Sequence, residues 1–235
     1  MSMDSVEKPP AAAAVFGDAL QLAERYAELL AGPGVERGLI GPGEAGRIWS
    51  RHILNCAALA QLVPDGVTVA DLGSGAGLPG IVLAILRPET EILLVEPMAR
   101  RVAFLDECVD ALGLEHVRVV RGRAEDLAGQ VSADIVTARA VAPLDRLVGW
   151  AVGLCRPGGT VLAIKGASAA DEVAAAGPAL RRLGLTDVTV LQVGSDRLGE
   201  AATVVRLVVP RRPSGTKSRP EKRSRGGARS AAKRR

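Results

Sequence analysis

Short apolar runs and amphipathic segments alternate along the central part of this chain. Five apolar runs of strand length, at 67–72, 92–96, 117–121, 134–138 and 160–165, are separated by segments with helical spacing near 81–86, 99–112, 143–155 and 169–183. This alternation predicts a parallel sheet with helices on both faces. Two more β-rich runs, 187–193 and 202–209, are predicted to pair as an antiparallel hairpin at the sheet edge. The pattern predicts an α/β fold with a seven-stranded, mostly parallel, doubly wound sheet.

The segment before the first strand predicts an N-terminal helical cap. Apolar residues recur at helical spacing from Phe16 to Leu30, and the Gly-Pro-Gly sequence at 32–34 is predicted to end that helix. A second amphipathic helix is predicted between the Gly/Pro breaks at 41–43 and 64–66. We therefore divide the chain into a disordered leader (1–14), a helical cap (15–64), an α/β domain (65–210) and a disordered basic tail (211–235).

The net charge of +4 conceals two oppositely charged parts. From Arg211 onward, eleven lysines and arginines face one acidic residue, Glu221, whereas the rest of the chain carries 19 basic and 25 acidic residues. A flexible basic tail on an acidic body indicates a polyanionic partner. The chain contains five aromatic residues, which argues against a stacking platform for single-stranded nucleic acid.

The ends and the cysteines exclude several classes of protein. The N-terminus lacks a basic start followed by a long apolar run, so no signal peptide is predicted, and no apolar stretch is long enough to predict a transmembrane helix. Cys56, Cys108 and Cys155 are widely spaced, without a CxxC or Cys/His cluster, so neither a metal site nor a disulfide framework is predicted. We expect a cytoplasmic protein.

The strongest motif is the sequence DLGSGAGLPG at residues 71–80, between the first predicted strand and helix. Glycines there let the backbone turn sharply and let a ligand approach closely. The motif satisfies the dinucleotide pattern GxGxxG. However, Asp71 stands two residues before Gly73, which is typical of proteins that bind S-adenosylmethionine, and we expect this acid to help position the methionine end. A dinucleotide site remains the alternative.

The ends of the next two strands add candidate contacts. Glu96 ends the second strand and is predicted to accept hydrogen bonds from the ribose hydroxyls, a feature that NAD enzymes share. Ala124 and Glu125 follow the third strand and are predicted to border the adenine.

The residues that follow the fourth strand argue against two kinds of nucleobase methylation. They lack the Asn/Asp-Pro-Pro-aromatic motif of enzymes that methylate exocyclic amines, and they lack a Cys-Pro pair for cytosine C5 methylation. A ring nitrogen such as guanine N7 has an available lone pair and needs alignment rather than a general base. We therefore assign no catalytic residue.

Six stretches together resemble a known family: RHILN (51–55), DLGSGAGLPG (71–80), RVAFL (101–105), RAE (123–125), ARA (138–140) and KG (165–166). From residue 26 to 209 the chain resembles the bacterial ribosomal RNA small subunit methyltransferase G family, also called glucose-inhibited division protein B, a class I S-adenosylmethionine-dependent family. The resemblance implies methylation of N7 of guanine 527, in the 530 loop of 16S rRNA. It also implies cofactor contacts from Gly73, Leu78, Ala124, Glu125 and Arg139.

Several further residues, and the basic tail, have candidate roles in binding the donor or the RNA. Lys165 and Arg123 are candidates for substrate binding, and Arg139 for the donor carboxylate or an RNA phosphate. Glu96 rests on the strand-end argument, because family members often carry Asp there. His52 is interpreted as a helix-packing residue. The tail is expected to add nonspecific affinity for RNA by counterion release. The expected partner is 16S rRNA or the small ribosomal subunit. We expect the protein to act as a monomer.

Two other functions stay open at this point. The chain could methylate another acceptor, either a small molecule or a protein. Alternatively, it could be a non-enzymatic RNA-binding protein with a degenerate donor site.

Overall fold

The structure, a computed structural model, describes residues 8–194 and 201–211. Its strands are β1 (Thr68–Leu72), β2 (Glu91–Glu96), β3 (Val117–Arg121), β4 (Ala133–Arg139), β5 (Cys155–Lys165), β6 (Val188–Val193) and β7 (Ala202–Val208). They form one sheet in the order β3-β2-β1-β4-β5-β7-β6. Strands β1 to β5 are parallel, whereas β7 is antiparallel to both of its neighbours. The predicted doubly wound sheet and its edge hairpin are therefore confirmed.

The strand order places a ligand crevice at one edge of the sheet. The chain adds strands outward from β1 to β3 and then returns to place β4 on the other side of β1. Open α/β sheets bind ligands beyond the carboxyl ends of the strands at such a switch point.

Helices cover both faces of the sheet. They are α4 (Gly80–Leu86), α5 (Ala99–Leu112), α6 (Ala124–Leu127), α7 (Leu144–Leu154), α8 (Ala169–Ala175) and α9 (Gly177–Arg182). One apolar core lies under α4, α5 and the N-terminal cap, and the other under α7, α8 and α9. Among the described residues, every helix is too short or too polar to span a bilayer.

The cap consists of three helical parts that precede β1. Helices α1 (Pro10–Phe16) and α2 (Leu20–Leu29) are joined by a 3-10 turn. The third part, here named the cap helix, runs from Pro42 to Leu62 and combines 3-10 turns (Pro42–Arg47, Ala58–Leu62), π-helical turns (Ile48–Leu54) and α3 (Asn55–Ala57). The rings of Phe16 and Trp49 meet edge to face, with centroids 6.2 Å apart, and join α1 to the cap helix.

Two predictions about the N-terminal segment are corrected. Residues 10–14 of the predicted leader belong to helix α1, in which Ala12 is fully buried. The helix expected to end at 32–34 instead continues through a π-helical turn, Leu30–Gly34, where the N–H of Val35 bonds to the carbonyl of Leu30 and spans Pro33. Residues 1–7 of the leader, and the tail beyond Arg211, lie outside the described residues.

Two predicted boundaries in the α/β domain also change, and one short helix is additional. Cys155 begins β5 rather than ending a helix, and the pairing of β5 with β4 shifts register near this start. The helix predicted at 169–183 divides into α8 and α9 at Gly177-Pro178, because proline supplies no backbone N–H. Helix α6 was not predicted, since four residues are too short to show helical periodicity.

Candidate active site

The glycine loop after β1 is tied to the end of β2 by backbone hydrogen bonds. The N–H groups of Gly73 and Ser74 both donate to the carbonyl of Val95, at 2.8 and 3.1 Å. Gly73, Gly75 and Gly77 have φ angles of 69°, 60° and 97°. These left-handed conformations explain the glycines, since a side chain there would be strained.

Asp71 lies beneath the loop rather than at a ligand surface. It is fully buried; its Oδ2 accepts a hydrogen bond from the N–H of Gly80 at 3.1 Å, and its Oδ1 accepts one from the hydroxyl of Thr137 at 3.0 Å. Burial raises the pKa of Asp71 to about 6, against the lowering effect of these bonds. The structure therefore gives Asp71 an anchoring role between β1, β4 and the start of α4, not the expected contact with the methionine end.

Glu96, the last residue of β2, is hydrogen-bonded to the glycine loop. Its carboxylate accepts a hydrogen bond from the N–H of Gly75 at one oxygen and from the N–H of Met98 at the other, each at 3.0 Å. The Nη1 of Arg101 lies 3.7 Å from it. Glu96 is also buried, but unlike Asp71 it borders a cavity, and each of its oxygens retains a further lone pair for a hydroxyl.

A cavity of about 550 Å³, here named the glycine-loop cavity, opens beside these groups. It brings together five of the predicted residues, which are Gly73, Glu96, Arg123, Ala124 and Glu125. Leu78 and Arg139 do not line it: Leu78 is buried within the loop, and Arg139 faces a second cavity. Arg123 therefore lies with the predicted cofactor contacts, apart from Lys165.

The second cavity, here named the cationic cavity, has a volume of about 1020 Å³. It lies between the cap helix and the carboxyl ends of β4 and β5. Four cations line it, Arg47, Arg51, Arg139 and Lys165, against one carboxylate, Glu172. Such a surface favours an anionic ligand.

Lys165 is held in place at the floor of this cavity. Its Nζ donates to the carbonyl of Ala142 at 2.8 Å and pairs with Glu172 at 2.7 Å, and its side chain is only 10% exposed. Glu172 also accepts the N–H of Leu144 at 3.2 Å. This pair therefore braces the segment between β4 and α7.

Arg139 is positioned by the cap helix. Its guanidinium contacts Nδ1 of His52 and lies 3.2 Å from Sγ of Cys56. Burial, and then the charge of Arg139, lower the pKa of His52 to about 4, so the imidazole is neutral at pH 7 and can accept a hydrogen bond. Its Nε2 faces Oε2 of Glu44 at 3.3 Å. The helix-packing interpretation of His52 thus extends to holding an arginine at the site.

A short turn separates the two cavities, and Ala140 and Val141 line both. Ala140 has a φ of 53°, a left-handed conformation that costs free energy for a residue other than glycine. Val141 packs over Gly73, where an added Cβ would lie 2.9 Å from its Cγ2. The turn thus carries local strain between the two ligand surfaces.

Sequence reasoning missed two contributors to this region. Tyr26, the chain's single tyrosine, is fully buried, and its hydroxyl donates to the carbonyl of Ala76 in the glycine loop at 2.8 Å. Trp150 of α7 lines the glycine-loop cavity. Tyr26 had one detectable signal, because a buried tyrosine on an apolar helix face needs a partner for its hydroxyl.

The glycine-loop cavity fits S-adenosylmethionine by size and by the groups in its wall. Its volume lies within the range of small-molecule sites, and a carboxylate with spare lone pairs stands at the end of β2. The backbone at Gly73 leaves no space for a side chain. No group of three or more His, Cys, Asp or Glu suited to a metal ion occurs within residues 8–194 and 201–211.

This sheet order, with β7 inserted antiparallel between β5 and β6 and a glycine loop after β1, is that of the class I methyltransferases, which use S-adenosylmethionine. Residues 19–198 match the family model described as rRNA small subunit methyltransferase G, and the chain belongs to that family. It is a methyltransferase of small-subunit ribosomal RNA.

Relatives agree with this assignment, and solved structures agree with the fold. The chain is 53% identical to the Ribosomal RNA small subunit methyltransferase G of Streptomyces avermitilis, covering 91% of this chain and 92% of the relative. It is 51% identical to the protein of that name from Thermobifida fusca, covering 91% and 96%. The fold is similar to that of the S-adenosylmethionine-dependent methyltransferase SibL, with a TM-score of 0.57 and 20% identity over 85% of this chain and 70% of the other. An O-methyltransferase from Thermotoga maritima aligns with a TM-score of 0.54 and 13% identity over 68% and 66%.

Proposed function

We propose that this protein transfers a methyl group from S-adenosylmethionine to N7 of guanine 527, in the 530 loop of 16S rRNA. The observation that carries the proposal is the shared turn between the two cavities, since Ala140 and Val141 border both. Neither side chain can take a proton. N7 of guanine presents its own lone pair, so alignment of acceptor and methyl group suffices at this junction.

The donor is held in the glycine-loop cavity in this proposal. When bound, S-adenosylmethionine supplies an electrophilic methyl group on a sulfonium. Gly73 admits it closely, Glu96 accepts its ribose hydroxyls, and Ala124 and Glu125 border its adenine. Leu78 supports the loop from behind, because it is buried and its N–H donates to the carbonyl of Ser74 at 3.1 Å.

The acceptor RNA occupies the cationic cavity in this proposal. Arg139 and Lys165 face it from the sheet, and Arg123 contributes from the rim of the neighbouring cavity. Exclusion of water between the two cavities would strengthen each of these charge interactions. We further propose that the protein acts as a cytoplasmic monomer on the small ribosomal subunit, with the basic tail adding affinity that does not depend on sequence.

Mapping of N7-methylguanine at nucleotide resolution tests the proposal. Small subunits from cells lacking the protein are incubated with S-adenosylmethionine, with and without purified protein. We expect one new N7-methylguanine at position 527 of 16S rRNA. A methyl group at another position, or in ribosomal protein, would contradict the assignment.

Calorimetry tests the donor site independently of the RNA. A degenerate donor site would bind neither S-adenosylmethionine nor S-adenosylhomocysteine, whereas the geometry at Gly73 and Glu96 predicts binding of both.

A further inference from the structure

The cap helix presents a polar face to the cationic cavity. Arg47, Arg51 and Asn55 follow at intervals of four residues, with Ser50 beside them, and all four line the cavity. The intervening Trp49 is buried on the opposite side. One wall of the cavity is therefore built from the cap, and the other from the sheet and its turns.

The cations of the two walls differ in how they are paired. On the sheet side, Lys165 is bonded to Glu172, and Arg139 is held by His52. On the cap side, Arg51 pairs with Glu44 at 3.2 Å, but its side chain is 59% exposed. Arg47 is exposed and has no ion pair or side-chain hydrogen bond within residues 8–194 and 201–211.

The cap wall also offers neutral hydrogen-bond donors. Ser50 is exposed and Asn55 half-buried, so a hydroxyl and an amide accompany the two guanidinium groups. Arginine together with serine and asparagine is the set that proteins use for the phosphate and sugar of nucleic acids. An extended wall of such groups positions a strand, whereas base contacts need groups at the junction with the donor.

We propose that Arg47, Ser50, Arg51 and Asn55 bind the sugar-phosphate backbone of the RNA strand that carries the target guanine, with Arg47 at a phosphate. This inference rests on the proposed function, because it takes RNA as the acceptor. The cap helix then sets how far the strand enters the cavity, and the sheet side receives the base.

The test compares Arg47→Ala with a matched control, Arg118→Ala. Arg118 lies on the edge strand β3, its side chain is 75% exposed, and it lines neither cavity. Each variant therefore removes one exposed arginine. The measurements are kcat and KM for purified small subunits at two salt concentrations, the Kd for S-adenosylmethionine, and the midpoint of denaturation.

Arg47→Ala is expected to raise KM for the small subunit by about 5- to 10-fold and to reduce the salt slope of binding by about 1, as loss of one phosphate contact does. kcat, donor Kd and stability should stay at wild-type values, and Arg47→Lys should restore part of the affinity. Arg118→Ala should leave all of these values unchanged.

Equal KM values for Arg47→Ala and Arg118→Ala would overturn the proposal. It also fails if Arg47→Ala raises KM without any change in the salt slope, because a protein contact on the subunit would then explain the loss. Failure of the proposed function appears separately, in the wild-type reaction, as the absence of N7-methylguanine from 16S rRNA.

Discussion

Val141 packs directly over Gly73, so the glycine loop and the turn after β4 touch where the two cavities meet. A Cβ on Gly73 would lie 2.9 Å from Cγ2 of Val141, and the residue has a φ of 69°. Both the steric contact and the backbone conformation exclude a side chain at this position. The glycine is therefore required by the turn above it as well as by its own backbone.

Gly73→Ala is expected to weaken binding of S-adenosylmethionine by at least about tenfold and to cost roughly 1–3 kcal/mol of stability. Gly66→Ala is the control, because Gly66 has a φ of 71° with nothing within 4 Å of an added Cβ. It should lose stability without losing donor affinity. Adding Val141→Ala to Gly73→Ala should recover part of the affinity, and calorimetry measures all three variants. Equal donor affinity in Gly73→Ala and wild type would contradict this interpretation of the site.

Tyr26→Phe tests whether the cap supports the glycine loop. The change removes the hydroxyl that donates to the carbonyl of Ala76 and leaves that carbonyl without this donor. We expect a loss of about 1 kcal/mol of stability and a severalfold higher Kd for S-adenosylmethionine. Burial raises the pKa of Tyr26, so the hydroxyl stays protonated and the difference should not vary between pH 6 and 9. An unchanged Kd would show that the loop holds its shape without this hydrogen bond.

Asp71→Asn is expected to remove a pH dependence of folding stability. The folded pKa of Asp71 is raised to about 6, so between pH 4 and 6 the folded state binds more protons than the unfolded state. The contribution of Asp71 to stability is therefore present below pH 4 and lost as the pH rises through 6, a change of at most about 3 kcal/mol. Urea unfolding at pH 4.5 and 7 measures the slope in both proteins. Parallel curves for variant and wild type would refute the effect.

His52→Gln should also change the dependence of folding stability on pH, in the direction opposite to that of Asp71→Asn. The folded pKa of His52 is lowered to about 4, so the unfolded state binds more protons between pH 4 and 6.5. Its contribution to stability is present above that window and lost as the pH falls. The variant should be less sensitive to acid than wild type, and the same urea series measures this. A steeper loss of stability at low pH in His52→Gln would be inconsistent with a neutral, buried imidazole.

Glu172→Gln is expected to release Lys165 toward the acceptor. The change keeps an oxygen for the N–H of Leu144 but removes the charge that pairs with Lys165 at 2.7 Å. We expect a lower KM for the small subunit at low salt, because the cationic cavity then lacks its single carboxylate. Lys165→Met should raise KM instead. Steady-state kinetics of both variants at 50 and 200 mM salt measure these changes in KM. A higher KM for Glu172→Gln would mean that the ion pair itself orders the site.

Strand ends were predictable from the sequence, whereas the partners of the side chains at those ends were not. Apolar runs and their spacing predicted the sheet and placed Gly73, Glu96 and Ala124 at one edge, and the structure brings them around one cavity. Asp71 stands at the same edge, yet it lines neither cavity, and its oxygens accept hydrogen bonds from Gly80 and Thr137. Spacing does not reveal which backbone N–H groups approach a carboxylate, because that depends on the three-dimensional path of the loop.

Contacts between the cap and the sheet were also outside the reach of sequence patterns. Arg139 and His52 are 87 residues apart in the chain, and Tyr26 and Ala76 are 50 apart. Local periodicity assigns each residue to a helix face or strand end, but it does not orient the cap on the sheet. The orientation follows from burial of apolar cap residues in the core that they share with α4, α5 and the sheet.

Because Ala140 and Val141 line both cavities, a donor and an RNA bound there as proposed cannot bind independently if either one moves the turn. The free energy by which bound donor changes the affinity for RNA must then equal the free energy by which bound RNA changes the affinity for the donor. Ala140 is held in a left-handed conformation that costs free energy for a residue other than glycine, so the turn already carries strain before either ligand binds. A compound that moved this turn from one cavity would change the affinity of the other cavity without entering it.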